Sequence, residues 1–283
     1  MPEPFPILKS LILEQTGESS YRGPSVPSEV RPVVFGGQLM GQMIVAATTC
    51  LPGKTVRSLH AIFARAGTVT QPVDLEVDVL HSGRALGSVS VTARQGDRLL
   101  SRGLLLLDAG EPDLIRHSEP KPVVAGPDDT KPAGWEAGAD VRIVDSVDLM
   151  TPEATGPPEL YVWTRFSHAP DDQAVHQALL SWYTDPFLIA SAMRPHDGVG
   201  QAMAHDSIST GVITHTLSFH EPVDATKWNL MANRSIYAGH GRTYGMGQVF
   251  TQDGQQVASY VQDNLVRAFR DEPALRGKGT LTM

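Results

Sequence analysis

Residues 36–50 read GGQLMGQMIVAATTC, an apolar helical segment in which Gly36, Gly37 and Gly41 would let strands approach closely. Four strand-like segments follow it. They are 58–66 (SLHAIFARA), 73–82 (VDLEVDVLHS), 87–95 (GSVSVTARQ) and 99–108 (LLSRGLLLLD). One helix followed by a long antiparallel meander predicts an α+β layer, in which a curved sheet wraps around a buried helix.

The same order of elements returns in the second half of the chain. A nearly all-apolar helix is predicted at 172–192 (DQAVHQALLSWYTDPFLIASA), again followed by strand-like segments. These are 212–220 (VITHTLSFH), 228–238 (WNLMANRSIYA), 244–252 (YGMGQVFTQ) and 256–266 (QVASYVQDNLV). Hairpin glycines match at an offset of 158, Gly83 with Gly241 and Gly96 with Gly254. A repeat of this length predicts a duplicated domain.

An acidic, proline-rich stretch separates the two halves. Residues 108–155 contain 11 acids, 4 bases, six prolines and four glycines, which is typical of a linker. We therefore predict an N-terminal domain at 1–107, a linker at 108–155 and a C-terminal domain at 156–283.

Composition excludes several classes of protein. The 283 residues include 41% hydrophobic and 19% charged residues, as in a folded domain. The net charge of −8 argues against a general nucleic-acid binder, and the single cysteine, Cys50, excludes a disulfide framework and a cysteine-based zinc site. No apolar run reaches bilayer length and the first residues do not resemble a signal peptide, so we expect a cytoplasmic protein with no membrane partner.

Four motifs distinguish the chain from a generic α+β protein. They are VFGGQ followed by GQ (34–38, 41–42), SLHAIFARAG (58–67), the helix carrying Asp171, Asp172, His176, Gln177 and Asp185, and the strands with FH-x-P, FTQDG and VAS-x-VQ (219–262). Taken together and in this order, they resemble the type II acyl-CoA thioesterases, a TesB-like family of fused double hotdog domains. The resemblance extends from about residue 5 to 269.

This resemblance implies hydrolysis of a fatty acyl-CoA to a free fatty acid and CoA, with no metal or cofactor. It also implies one site made of an Asp on the second central helix, a Thr or Ser on the next strand and a Gln on the last strand. Asp185 and Gln262 match the first and third positions, whereas Val212 stands at the hydroxyl position. Since hotdog edge strands usually pair between protomers, a homo-oligomer is expected.

The chemistry of these residues agrees with such a role. A thiolate leaves readily, so a carboxylate that deprotonates water, an amide that orients the water or the carbonyl, and helix N–H groups that hold the oxyanion would suffice. Asp185 could instead only cap a helical segment that begins at Pro186. Gln262 could be a solvent-facing strand residue. At the offset of 158 its counterpart is Leu104, which we expect to be a core residue.

Two further sets of residues complete the predicted site. Strict alternation would place Thr214 on the same strand face as Val212, so that Thr214 could supply a displaced hydroxyl or merely favour strand formation. Candidate substrate-binding residues are Phe35, Gly36, Gly37, Gln38, His60 and His215, of which the histidines could equally be structural.

Two other functions remain open on this scaffold. Val212 favours a non-catalytic or weakly catalytic acyl-CoA binding or sensing protein. A hotdog dehydratase would require a catalytic Asp/His pair, which the sequence does not show.

Overall fold

The computed structural model describes residues 3–28, 32–133 and 138–269. Within these ranges the helices are α1 Pro6–Ser10, α2 Gly36–Cys50, α3 Gln173–Thr184 and α4 Phe187–Met193. The strands are β1 Glu14–Gly17, β2 Ser20–Gly23, β3 Thr55–Phe63, β4 Val73–Ser82, β5 Leu86–Gln95, β6 Arg98–Asp108, β7 Ala139–Ile143, β8 Glu159–Phe166, β9 Ile208–Phe219, β10 Asn229–Gly239, β11 Arg242–Thr251 and β12 Gln256–Ala268. The first two and last fourteen residues of the predicted domains lie outside the described residues.

These strands form one antiparallel sheet in the order β1-β2-β4-β5-β6-β3-β9-β12-β11-β10-β8-β7. The two halves of the chain contribute six strands each in the same relative order, and they meet where β3 pairs with β9. The helices cover one face of the sheet, with α2 on β3–β6 and α4 on β8–β12. The predicted α+β double hotdog fold is therefore confirmed.

The two central helices pack directly against each other through glycines. A Cβ atom on Gly37 would lie 2.7 Å from the Cα of Trp182, and one on Gly41 would lie 3.1 Å from the carbonyl oxygen of Ala178. The glycines were expected to let strands approach; at these two positions the close neighbour is instead α3. The shared core of both halves is thus built around an α2–α3 contact that side chains would separate.

The second central helix is broken, contrary to the single helix predicted at 172–192. Asp172 caps α3 by accepting a hydrogen bond from the Ala174 N–H at 2.9 Å. The helix then ends at Thr184 and α4 begins at Phe187. Pro186 has no N–H to continue the ladder, and its ring crowds the preceding turn.

Bulges at equivalent places show the register of the repeat. The extra residues are Arg57 in β3 and Ile213 in β9, Leu80 in β4 and Ile236 in β10, and Leu100 in β6 and Val257 in β12. The first two pairs lie 156 residues apart and the third 157, because the last hairpin is one residue longer in the second half. The offset of 158 was therefore wrong, and the counterpart of Gln262 is Leu105. Leu104 is 52% exposed rather than a core residue.

The predicted linker packs against the outer face of the second half. Val124 contacts a small apolar cluster of Val144, Trp163, Trp228, Leu230 and Phe250 on the side of the sheet opposite the helices. The Trp163 indole N–H donates to the Ala125 carbonyl at 2.9 Å. The stretch also contains β7, which pairs with β8. The boundaries of the three predicted domains stay a prediction.

Replacing Gly37 with valine should destabilise the fold, because its side chain would push α3 away from α2. We expect the free energy of unfolding to fall by about 1–3 kcal/mol, as for other overpacked cores. Urea unfolding measures the change. As a control, Gly126→Val places a side chain where only Asp129 lies nearby, so its effect should stay within about 0.5 kcal/mol. Equal losses in both variants would contradict the packing argument.

Candidate active site

Asp185 lies at the break between α3 and α4 and is 5% exposed. Its Oδ1 oxygen has no hydrogen-bond partner among the described residues, although it is buried. The start of α4 has Pro186 as its N-cap and shows no capping hydrogen bond from a side chain. This geometry tells against the alternative in which Asp185 serves only as a cap. A buried carboxylate oxygen without a donor is instead available to a water molecule or a substrate.

Gln262 on β12 is fully buried, and its side chain contacts the break between α3 and α4 from the side of the sheet. Its Nε2 donates to the carbonyl oxygens of Thr184 at 2.9 Å and Asp185 at 3.1 Å. The last carbonyl groups of a helix accept no hydrogen bond within that helix, so they need a donor from elsewhere. Gln262 is therefore no solvent-facing residue: its amide fixes the backbone from which the Asp185 side chain projects.

His215 on β9 is the third polar member of this cluster. Its ring is fully buried, and its Nδ1 lies 3.0 Å from the Gln262 Nε2 and 3.8 Å from the Asp185 Oδ1. The sequence showed no Asp/His pair, whereas the structure brings one together. His215 does not line the cavity, however, so the pair does not present two groups to a substrate as a dehydratase would need.

The N-terminus of α2 faces the same carboxylate. A Cβ on Gly36 would lie 2.8 Å from the Asp185 Oδ1 and 3.2 Å from the Phe63 ring, so glycine is needed for this approach. The first-turn N–H groups of a helix lack intrahelical acceptors and carry the positive end of its dipole. Donors of the first half are thus placed beside the acid of the second half.

A cavity of about 350 Å³ opens between these two elements. Of the predicted site residues, Phe35, Gly36, Asp185 and Val212 line it. Its other walls are largely apolar and include Val34, Leu39, Phe63, Ile189 and Leu265. The cavity therefore combines one carboxylate and one helix N-terminus with a hydrophobic wall, which suits a ligand with a reactive polar group and an apolar chain.

Gln38 and Gly37 do not line the cavity. Gln38 is 1% exposed, accepts from the Val26 N–H at 2.9 Å and contacts the Pro24 carbonyl oxygen at 3.4 Å. It therefore holds the segment before α2 in place. Gly37 permits the contact with Trp182 described above.

The other motif histidines lie away from the cavity. His60 is exposed on the outer face of the sheet, with its Nδ1 2.6 Å from the Thr216 hydroxyl. The Nε2 of His220 lies 2.8 Å from the Ser259 hydroxyl. Burial lowers the pKa of His220, which favours its neutral form at pH 7.

The bulge at Ile213 changes which hydroxyl shares a face with Val212. Thr214 lies opposite Asp263 and Ile62 on the outer face, where Ile62 is 51% exposed. The expectation that Thr214 lies beside Val212 was wrong, because a bulge inserts a residue and shifts the alternation. Thr210 is the buried threonine that lines the cavity together with Val212.

Asn264 is a buried polar residue that sequence reasoning missed. It lies two residues beyond Gln262, opposite Val212, is fully buried and has an Oδ1 without a partner. In the first half, Leu59, Leu105 and Leu107 occupy the positions that correspond to His215, Gln262 and Asn264. With the correct repeat offset, this change from three leucines to three polar residues is visible in the sequence.

No described helix is long and apolar enough to cross a membrane. Within residues 3–28, 32–133 and 138–269, no group of three or more His, Cys, Asp or Glu residues could hold a metal ion.

Comparisons with known proteins agree over nearly the whole chain. A family model described as the acyl-CoA thioesterase N-terminal domain matches residues 25–107, and one described as the C-terminal domain matches 117–266. Acyl-CoA thioesterase 2 of Haemophilus influenzae is 28% identical over 285 residues, covering 92% of this chain and 98% of that protein. Human acyl-coenzyme A thioesterase 8 is 25% identical, covering 91% and 87% of the two chains.

Solved structures show the same architecture. The acyl-CoA thioesterase II TesB2 from Mycobacterium marinum superposes with a TM-score of 0.79 at 28% identity, covering 94% of this chain and all of that one. A hot dog protein of unknown function from Alicyclobacillus acidocaldarius gives a TM-score of 0.76 at 18% identity, covering 95% and 100%; this second likeness concerns the fold alone.

Proposed function

The chain belongs to the acyl-CoA thioesterase family and hydrolyses acyl-CoA to a carboxylic acid and coenzyme A, and we propose that the reaction proceeds by direct attack of a water molecule that Asp185 deprotonates. One observation carries the proposal: the buried Asp185 Oδ1 has no hydrogen-bond partner among the described residues, and Asp185 lines the cavity beside the start of α2.

The proposed steps need no covalent enzyme intermediate. The water oxygen attacks the thioester carbonyl carbon while its proton passes to Asp185. The tetrahedral intermediate then collapses, the C–S bond breaks, and the thiolate leaves and takes up a proton. Because a thiolate is a good leaving group, a positioned base supplies the main requirement, contributing about 10²–10⁴-fold.

The N-terminus of α2 would hold the developing oxyanion. Gly36, which lines the cavity, contributes an N–H group of the first turn, and the helix dipole favours negative charge at this end. A side chain at Gly36 would crowd the Asp185 Oδ1 and the Phe63 ring, so glycine keeps the approach between the start of α2 and the carboxylate free of a side chain. The apolar wall of the cavity would take the acyl chain.

Gln262 acts in this scheme by holding the helix break, and through it the direction of the Asp185 side chain. Its Oε1 has no partner among the described residues, and Gln262 is not among the residues that line the cavity. Its hydrogen bonds to the two backbone carbonyl groups thus favour a positioning role for the amide over a role in binding the acyl chain.

The oligomeric state and the compartment stay predictions. We propose a cytoplasmic protein that forms a homo-oligomer, and exposed apolar residues on the outer face near the β3–β9 seam support the oligomer. Ile62, Leu104 and Leu106 are 51%, 52% and 41% exposed there. A second copy covering them would remove this apolar area from water.

Asp185→Asn should abolish most hydrolysis, because an amide keeps the shape of the carboxylate but cannot accept the proton. We expect turnover to fall by roughly 10²-fold or more. Release of free thiol from a panel of acyl-CoAs measures it. Asp171→Asn, which changes an exposed acid just before α3, is the matched control and should keep wild-type turnover. An active Asp185→Asn enzyme would refute the proposed base.

Gln262→Leu converts the second half to the residue found at Leu105 in the first. The carbonyl groups of Thr184 and Asp185 would lose their donor, so turnover should drop roughly tenfold or more, with a loss of about 1–3 kcal/mol in stability. Thiol release and urea unfolding measure the two effects. If a folded variant turned over like the wild type, Gln262 would have no place in the mechanism.

Val212 is the observation that favours weak catalysis, since it brings no hydroxyl to the cavity. Val212→Thr is nearly isosteric and could add a hydrogen bond to the water worth about 1 kcal/mol, or a few-fold to tenfold in rate. Thr214→Val on the outer face is the control and should leave turnover unchanged. The outcome that contradicts this interpretation is an impaired Thr214→Val enzyme together with an unaltered Val212→Thr enzyme.

A further inference from the structure

His215 is a buried imidazole in a position that the first half fills with Leu59. Burying a polar ring is unfavourable unless its nitrogens find partners. The ring is fully buried, yet its Nε2 has no partner among the described residues, so its polar contacts within the protein lie on the Nδ1 side. The function of this residue should therefore be sought at Nδ1.

Hydrogen-bond geometry indicates what Nδ1 does. The Gln262 Nε2 has two hydrogens and three partners within 3.1 Å, two backbone carbonyl groups and the His215 Nδ1, so at least one hydrogen is shared between two of them. The carbonyl contacts require the amide nitrogen, not the oxygen, at this point. Nδ1 consequently acts as an acceptor, and the neutral ring carries its proton on Nε2.

We infer that His215 is a positioning residue for hydrolysis. As a neutral imidazole it accepts from the Gln262 amide and keeps that amide directed at the carbonyl groups of Thr184 and Asp185. Through them it sets the direction in which the Asp185 carboxylate enters the cavity. This role replaces the predicted role in substrate binding, and it rests on the proposed function of Asp185 as the base.

Two amide substitutions test where the acceptor is needed. Asn at 215 can place an oxygen near the Nδ1 position, whereas Gln places it near the Nε2 position. We expect His215→Asn to keep roughly a third or more of the wild-type kcat, and His215→Gln and His215→Leu to lose about tenfold or more, all with KM little changed. A residue that only fills volume would show the opposite order, because Gln is closer in size to His.

A double-mutant cycle tests whether His215 acts through Gln262. If it does, the His215→Leu, Gln262→Leu double variant should be about as active as Gln262→Leu alone, since the second change removes nothing further. Gln177→Leu is the matched control: it deletes another buried amide, which donates to the Val56 carbonyl at 2.9 Å, and should lower stability without lowering kcat.

The inference is overturned by any of three results: multiplicative losses in the double variant, a raised KM with unchanged kcat in His215→Leu, or equal activity of the Asn and Gln variants. If His215→Leu does not fold, the comparison of Asn with Gln still decides. An active Asp185→Asn enzyme would refute the proposed base itself, whereas wild-type activity in His215→Leu beside an inactive Asp185→Asn would refute only the role of His215.

Discussion

The hydrogen bonds from one buried amide to two backbone carbonyl groups hold the centre of this molecule together. Pro186 interrupts the second central helix, and the interruption leaves carbonyl groups inside the protein that need a donor. Gln262 supplies it from the last strand of the sheet. Because this contact fixes the backbone at Asp185, the carboxylate can remain buried and directed at a cavity without a donor of its own.

Duplication explains the backbone architecture of the molecule but not the polar residues of the candidate site. The two halves share strand order and three bulges, so their backbones are nearly equivalent. The inner faces of the two halves differ. The first half has buried leucines at positions 59, 105 and 107, whereas the corresponding residues of the second half are polar and fully buried. Buried polar groups cost stability unless they are paired, so the change from leucines to polar residues in the second half supports a role beyond packing.

Much of the fold could be predicted from the sequence because it depends on local patterns. The alternating strands, the glycine-marked hairpins and the apolar central helices all appear as periodicities along the chain. The bulges do not, and each one shifts the alternation by a residue. Ile213 therefore moved Thr214 to the outer face, and matching the hairpins by their glycines gave Leu104 as the counterpart of Gln262, where the strand register gives Leu105.

The site was predicted in part, for a related reason. Asp185 is visible as a lone acid in an apolar helix, and Gln262 as the final residue of the VAS-x-VQ motif. The hydrogen bonds that connect them are not visible in the sequence. They join Gln262 to residues 77 and 78 positions earlier in the chain, and their acceptors are backbone carbonyl groups, which a side-chain pattern does not record. His60 and Gln38 were predicted to bind substrate because they lie in distinctive motifs, but neither lines the cavity. Gln38 accepts from the Val26 N–H, and His60 contacts the Thr216 hydroxyl.

The proposed base and the proposed oxyanion donors lie in different halves of the chain. The unbroken helix α2 contributes an N-terminus with free N–H groups, and the broken second helix contributes a carboxylate at its break. The two meet because Gly37 and Gly41 let the helices touch and because β3 pairs with β9. A shift at either contact would separate the Asp185 carboxylate from the start of α2, so the proposed mechanism requires the continuous sheet.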